Sequence, residues 1–243
     1  MTTATLERPG ILDQAKTIST GNEEIDKKLG GGIPVGSLVL IEGESDSGKS
    51  VLTQQMMWGS LRDGHRVSLL TTENTFKSLI RQMQSLNLDI IDQCLLGWFK
   101  VYPVKAMRAK EGTDHALQEL LRAVGLQHTR DVVIIDSLTS FIAHSPVENV
   151  MGFFEECKSL CDQGLTVILV AHSYAFSDST LVRISSLCDA HLRLHLDNLG
   201  DRLMKILEVA KVRGAQRHTG NIVSFDVEPG WGMRIIPFSK AKA

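Results

Sequence analysis

The stretch Leu38-Val-Leu-Ile-Glu-Gly-Glu-Ser-Asp-Ser-Gly-Lys-Ser50 decides how this chain is read. Its first four residues are apolar, two of them β-branched, and predict a short buried strand. The run passes directly into Gly43-x-x-x-x-Gly48-Lys49-Ser50, and a helical pattern follows at once. Strand, glycine loop, helix is the context in which a phosphate-binding loop works. Gly43 and Gly48 can take backbone angles closed to other residues. Glu44, Ser45, Asp46 and Ser47 between them, with Val51 just inside the helix, can then turn successive N–H groups toward one anion. The helix adds its positive N-terminal end. In that geometry Lys49 reaches the β- and γ-phosphates and the Ser50 hydroxyl ligates Mg²⁺. Glu44 and Asp46 run against the pattern, since they put carboxylates into a loop that must hold anions. Their side chains are expected to point outward while the N–H groups point inward.

The bulk properties leave room for this and narrow the rest. With 243 residues the chain can bury a large core, and 43% hydrophobic with 22% charged residues is ordinary for a globular protein. A net charge of −2 gives no global basic field to recruit nucleic acid, so strong nucleic-acid binding is not expected. The cysteines at 94, 157, 161 and 188 lack metal-type spacing; Cys157 and Cys161, four apart on a predicted helix, read as small buried hydrophobes. No signal peptide or membrane-length apolar run is visible, which predicts a cytoplasmic protein.

Along the chain, residues 1–17 read as an N-terminal arm and 18–243 as one domain. Ser19 to Leu29 predicts a short helix capped near Asn22 and stopped by Gly30-Gly31-Gly32-Ile33-Pro34. After the phosphate loop come a helix over 50–62 and a strand over 66–71. An amphipathic helix follows on Phe76, Leu79, Ile80, Met83 and Leu86, then a strand over 98–103 and a helix over 114–124. Asp131 to Asp136 is an almost wholly apolar strand of the kind buried on both faces in a parallel sheet. A helix over 147–162 and a buried strand over 165–171 complete the alternation, which predicts a three-layer α/β/α domain with a mostly parallel central sheet. From about residue 189 the rhythm changes. Closely spaced strands at 191–196, 205–212, 222–227 and 233–236, broken at Asp197-Asn-Leu-Gly200 and Pro229-Gly230-Trp-Gly232, predict an antiparallel extension of one side of the sheet.

Further candidates for the site follow from strand ends. Asp136 closes four apolar residues at a strand tip, where ligands sit in open α/β sheets, and is assigned to Mg²⁺ through the ion's water shell; a simple turn-starting Asp is the alternative. Glu73 follows the second strand and precedes a helix. It is placed either to activate an attacking water or merely to meet a helix dipole. His172 ends the strand over 165–171 as a candidate γ-phosphate sensor, or as a polar loop residue. Lys211 and Arg213 alternate to one face of a late strand, either to reach a neighbouring subunit's phosphates or to stay in solvent on an edge.

With these residues aligned, the chain resembles the RecA-type ATPases, specifically their KaiC-like branch. The resemblance is carried by Thr20-Gly21, Leu29 to Pro34, Gly43 to Ser50, Leu207-Glu-Val-Ala-Lys-Val-Arg-Gly214 and Thr219-Gly220. Within that branch, Thr72-Glu-Asn-Thr-Phe-Lys77, Ser186-Leu-Cys-Asp-Ala-His191 and Phe225-Asp-Val-Glu-Pro-Gly230 are similar to the accessory ATP-binding proteins of the archaellum, the archaeal flagellum. The resemblance covers residues 18–240 and implies a RecA-like fold binding ATP and Mg²⁺. It also implies a ring, often hexameric, at the cytoplasmic side of the membrane, beside the archaellum motor ATPase and beneath the membrane core protein. Such proteins are nucleotide-dependent regulators with weak or absent turnover. Carried over by position, Lys49, Ser50 and Asp136 bind nucleotide and Mg²⁺, Glu73 takes the catalytic-glutamate position, and Lys211 with Arg213 form a trans-acting pair. Thr71 and Thr72 are then candidate autophosphorylation sites. Two competing readings remain, a RecA-like DNA-dependent ATPase and a KaiC-like signalling autokinase.

Overall fold

The computed structural model of the chain describes residues 17–104, 113–143, 145–199, 202–220 and 222–236. Of the arm expected at 1–17, residues 1–16 lie outside the described residues, while Thr17 pairs with Pro34 in a two-stranded sheet of β1 (Thr17–Ile18) and β2 (Ile33–Pro34). Between them, α1 (Glu23–Lys28) starts where the sequence predicts. The Asn22 side chain accepts from the N–H groups of Glu24 and Ile25, satisfying two donors that the helix leaves open.

Among the described residues the main sheet has nine strands. β3 (Leu38–Gly43), β4 (Val67–Thr71), β5 (Phe99–Pro103), β6 (Val132–Asp136) and β7 (Thr166–His172) come from the first two thirds of the chain, and β8 (Ala190–Leu199), β9 (Arg202–Val212), β10 (Ile222–Glu228) and β11 (Gly232–Ile236) from the rest. Their order is β11-β10-β9-β8-β3-β7-β6-β4-β5. The six strands from β8 to β5 are parallel to their neighbours, and β9 to β11 add an antiparallel extension. This is the architecture expected: an α/β domain with a large mixed sheet, mostly parallel and extended by antiparallel C-terminal strands.

Helices cover both faces, and the strand sequences show why. In β3, Val39 and Ile41 join one core while Leu38 and Leu40 join the other; in β6, Val132 and Ile134 divide in the same way from Val133 and Ile135. Alternation sends successive residues to opposite faces, so an unbroken apolar run is what a strand covered twice requires. One core lies under α1, α2 (Lys49–Arg62) and α3 (Phe76–Ser85). The other lies under α5 (Thr113–Gly125), α6 (Thr139–Ile142), α7 (Val147–Asp162) and α8 (Asp178–Leu187); α4 (Ile91–Leu95) is a short turn of helix before β5. Each fully buried Leu, Ile or Val contributes about 1.5–3 kcal/mol of transfer free energy.

The sequence does not flag α4, α6 or α8. The first two are too short for a period to show. In α8 the start is set instead by Ser177, whose side chain accepts from the Thr180 N–H. The break expected at 197–200 comes later, because β8 and β9 stay paired out to Leu199 and Arg202. Cys157, Cys161 and Cys188 are buried and free, consistent with packing residues. Among the described residues no cluster of three or more metal-ligating side chains occurs, and no helix is long and apolar enough to cross a membrane.

Candidate nucleotide site

The ends of β3, β4, β6 and β7 define one spot. Gly43 closes β3 beside His172, the last residue of β7. Thr71 closes β4 beside Asp136, the last residue of β6, and Asp136 pairs in turn with Val170 of β7. Four parallel strands thus deliver the loop at 43–50, Glu73 just beyond β4, Asp136 and His172 to one edge, the edge where open α/β sheets bind ligands.

The loop is built for close approach. A Cβ on Gly43 would collide with the Leu194 carbonyl on β8, and one on Gly48 would come within 2.8 Å of the Phe225 ring. Gly48 also has φ +97°, in the left-handed region that glycine enters without strain. It is the N-cap of α2 and supplies no capping side chain, and the first turn of that helix contains no acid. The leading N–H groups and the positive end of a 14-residue helix are therefore left for an external anion. Glu44, Ser45 and Asp46 are exposed on the outside of the loop, as the sequence reading requires of the two acids. Asp46 holds φ +59°, a conformation aspartate tolerates better than most residues. Ser47 is buried and its hydroxyl donates to the Glu44 carbonyl at 2.8 Å, pinning the turn from inside.

Lys49 is 7% exposed and folds back onto this loop, donating to the carbonyls of Gly43 (3.1 Å) and Glu44 (2.6 Å) and lying 3.4 Å from His172 Nδ1. Burial lowers its ammonium below the ordinary lysine range against the opposing pull of Asp136, Glu73, Asp46 and Glu42. Burial likewise pushes the Asp136 carboxyl up to about 7, with Glu73 adding to the rise and Lys49 opposing it. No donor among the described residues bonds that carboxylate. A buried acid without a donor, beside a second acid and a single ammonium, is a donor set that suits a hydrated divalent cation. The residues present therefore fit a nucleotide phosphate with Mg²⁺. Lys49 and the loop N–H groups would hold the phosphates, and Ser50 and Asp136 would hold the ion.

His172 is more constrained than a free loop residue. Its N–H donates to Thr139 Oγ1 (2.9 Å), and its ring stacks on Tyr174 with centroids 5.2 Å apart. Burial and the Lys49 charge lower its pKa, while Glu73 opposes them, so the ring facing Lys49 is held neutral. The Thr71 hydroxyl accepts from the N–H groups of Glu73 (3.2 Å) and Asn74 (3.1 Å), which turns the chain so that Glu73 faces Lys49 and Asp136. Thr71 is buried, and Thr72 Oγ1 accepts from the Ser137 N–H.

Lys211 and Arg213 are not brought to this spot. Lys211 donates to the Ser185 carbonyl and Arg213 to the Ser186 carbonyl (3.0 Å), so both cations meet the C-terminal end of α8, where the helix dipole favours them. The sequence reading also missed Glu42, His191 and Arg193, which lie together beneath the loop. An acid inside an otherwise apolar strand, immediately before the loop glycine, was the available signal.

Comparison with known proteins agrees with this geometry. The family profile "ATPase: KaiC" matches residues 18–240. The archaeal flagellar ATP-binding protein FlaH of Sulfolobus acidocaldarius is 31% identical over 93% of this chain and 99% of its own length. Its counterpart in Methanocaldococcus jannaschii is also 31% identical, over 93% and 97%. The crystal structure of the flagellar accessory protein FlaH from that organism superposes with a TM-score of 0.78 at 29% identity, over 91% of this chain and 99% of the other. A KaiC-like protein from Pyrococcus horikoshii shares the fold, with a TM-score of 0.71 at 19% identity and coverage of 91% and 99%. The chain belongs to the KaiC-type ATPase family and, within it, to the archaeal flagellar ATP-binding proteins of the FlaH family.

Proposed function

We propose that the chain is a nucleotide-dependent regulatory subunit of the archaellum motor. It binds ATP with Mg²⁺ at the loop 43–50, associates into a ring, hexameric by family resemblance, and engages the motor ATPase on the cytoplasmic side, beneath the membrane core protein. The observation that carries the reading is the pairing of an uncapped α2 N-terminus with Asp136, a buried acid that meets no donor among the described residues. Bound Mg²⁺ supplies charge neutralisation between the phosphates and Asp136. Lys49 leaves the Gly43 and Glu44 carbonyls and the His172 ring to meet phosphate oxygens, and the neutral His172 ring is then free to hydrogen-bond the same phosphate. Glu73 is the candidate base for an attacking water, although a second carboxylate beside Asp136 equally serves to tune the ion site.

Weak or absent turnover is carried over from the family resemblance; within one chain the site is only half complete. Its own Lys211 and Arg213 are engaged on α8 and act only on a neighbour's phosphates. The signalling-autokinase alternative draws little support at Thr71, whose hydroxyl is buried and already accepts two N–H groups.

The test is mass in solution with and without ATP and Mg²⁺, alongside phosphate release. Association that follows nucleotide with little release supports the reading; a mass indifferent to nucleotide removes it. Mixing Lys49→Ala chains with Lys211→Ala/Arg213→Ala chains probes the trans contact. About one interface in four is then intact in a head-to-tail ring, so fluorescent-nucleotide binding tightens on mixing, and no change on mixing excludes the trans role.

A further inference from the structure

One buried charge has no part in the site as described. Glu42 is the residue before Gly43 and is 4% exposed. Its Oε2 accepts from the Ser173 hydroxyl. Its Oε1 lies 3.4 Å from His191 Nε2 and 3.2 Å from Arg193 Nε. Neither nitrogen is aligned for a hydrogen bond, and neither has another partner among the described residues. Burial alone raises the Glu42 carboxyl, but the contact with His191, the hydrogen bond from Ser173 and the charge of Arg193 outweigh it and hold the carboxyl below its ordinary value.

This cluster reaches in two directions. Ser173 follows His172, which faces Lys49 across 3.4 Å. On the other side, His191 Nδ1 is 2.9 Å from Ser185 Oγ, and the Ser185 carbonyl receives Lys211. Ser185 therefore carries the Glu42 cluster on its side chain and the cation on its backbone. The next carbonyl, Ser186, carries Arg213.

We propose that Glu42 is a positioning residue that ties the phosphate loop to the end of α8: through Ser173 it holds His172 against Lys49, and through His191 and Ser185 it governs how firmly Lys211 and Arg213 are held. The inference rests on the nucleotide-binding reading and deepens it. A buried carboxylate kept for stability alone is expected to have its donors aligned, since misaligned ones leave the desolvation cost unmet. Here two donors crowd one oxygen out of alignment while a hydroxyl holds the other. Turning the carboxylate toward His191 completes that bond and loosens Ser173, so the two ends compete for one acceptor. Such an element has two discrete arrangements, which coupling between separated sites requires. Phosphate that draws Lys49 away from His172 biases it at one end, and Ser185 reports the bias at the other.

The test uses the full chain at a concentration where it is monomeric, with fluorescent ATP and ADP analogues and Mg²⁺. Acylation of the Lys211 amine is read by mass spectrometry. In wild type, ATP raises Lys211 reactivity about fivefold over the nucleotide-free chain. Glu42→Gln lowers the preference for ATP over ADP about tenfold, as expected for losing one charge-assisted hydrogen bond, and flattens the Lys211 response. Ser185→Ala keeps both nucleotide affinities and flattens the Lys211 response alone. Wild-type Lys211 reactivity indifferent to bound ATP overturns the inference. So does a response that survives Ser185→Ala, or a Glu42→Gln chain that melts lower yet keeps its ATP-to-ADP ratio. Failure of wild type to bind either nucleotide is a different result, and it removes the function proposed above.

Discussion

Replacing Asp136 by Asn should stabilise the chain in the absence of nucleotide, and by an amount that depends on pH. The wild-type carboxyl is pushed from 3.8 to about 7, first by burial and then by Glu73. Between those values the folded chain keeps a proton that the unfolded chain has lost, so stability falls as pH rises through this window. Above pH 7 both states are ionised and the whole cost is present. A rise of that size, with the opposing pull of Lys49 already in it, corresponds to about 4 kcal/mol, an upper bound because entering water relieves part of the charge. The expected gain for Asp136→Asn at pH 8 is about 1–3 kcal/mol, or several degrees in Tm for a chain of this size. At pH 4 the gain should vanish. Urea denaturation of both chains at four or five pH values measures the difference directly, with other titrating groups common to both. The same variant should lose the Mg²⁺ dependence of nucleotide affinity. A variant that is no more stable at pH 8, or whose difference from wild type does not change between pH 4 and 8, would refute the claim that Asp136 is a stored charge awaiting a cation.

Lys49→Ala should abolish the rise in Tm that saturating ATP gives the wild type, which amounts to about 2.7 kcal/mol at a hundredfold excess over Kd; thermal melts with and without nucleotide measure it. Gly48→Ala meets both a φ of +97° and the Phe225 ring, so a loss of about 1–3 kcal/mol in stability should accompany lost nucleotide binding, readable in the same melts. Ser177→Ala removes the side-chain cap of α8 and should cost about 1 kcal/mol in urea denaturation, while leaving affinity for a fluorescent nucleotide within a factor of two.

The fold was legible because its strands are buried on both faces. Leu38 to Ile41 and Val132 to Ile135 contain no polar residue, and no other arrangement of so short an apolar run satisfies its backbone and both sides at once. The loop was legible because its glycines are needed in sequence order. What escaped notice was whatever depends on contacts between distant residues. Helix α8 has weak periodicity and owes its place to Ser177 and to cations arriving from β9. Glu42 carries no legible role in sequence, since its partners His191 and Arg193 lie about 150 residues away and are brought near only by the pairing of β3 with β8. Lys211 and Arg213 both donate to carbonyls at the end of α8, and a strand pattern does not say which helix covers that face.

The position of that pair argues for association. Within the sheet, Leu40 pairs with His191 and His191 with Lys211. Lys211 thus stands three residues below the loop glycine and two strands across, about 10 Å in each direction. Its side chain meets α8, on the face of the sheet opposite α2. To touch phosphate held at the N-terminus of α2 in the same chain, the ammonium would have to pass over the sheet edge, farther than a lysine side chain extends. A second chain docked head to tail removes that obstacle, because the face bearing α8 and the end of β9 can approach another chain's loop directly. Contacts of this heterologous kind close into a ring when their rotation permits. A nucleotide at such a boundary binds the assembled state more tightly than the single chain, and that links occupancy to association in one equilibrium.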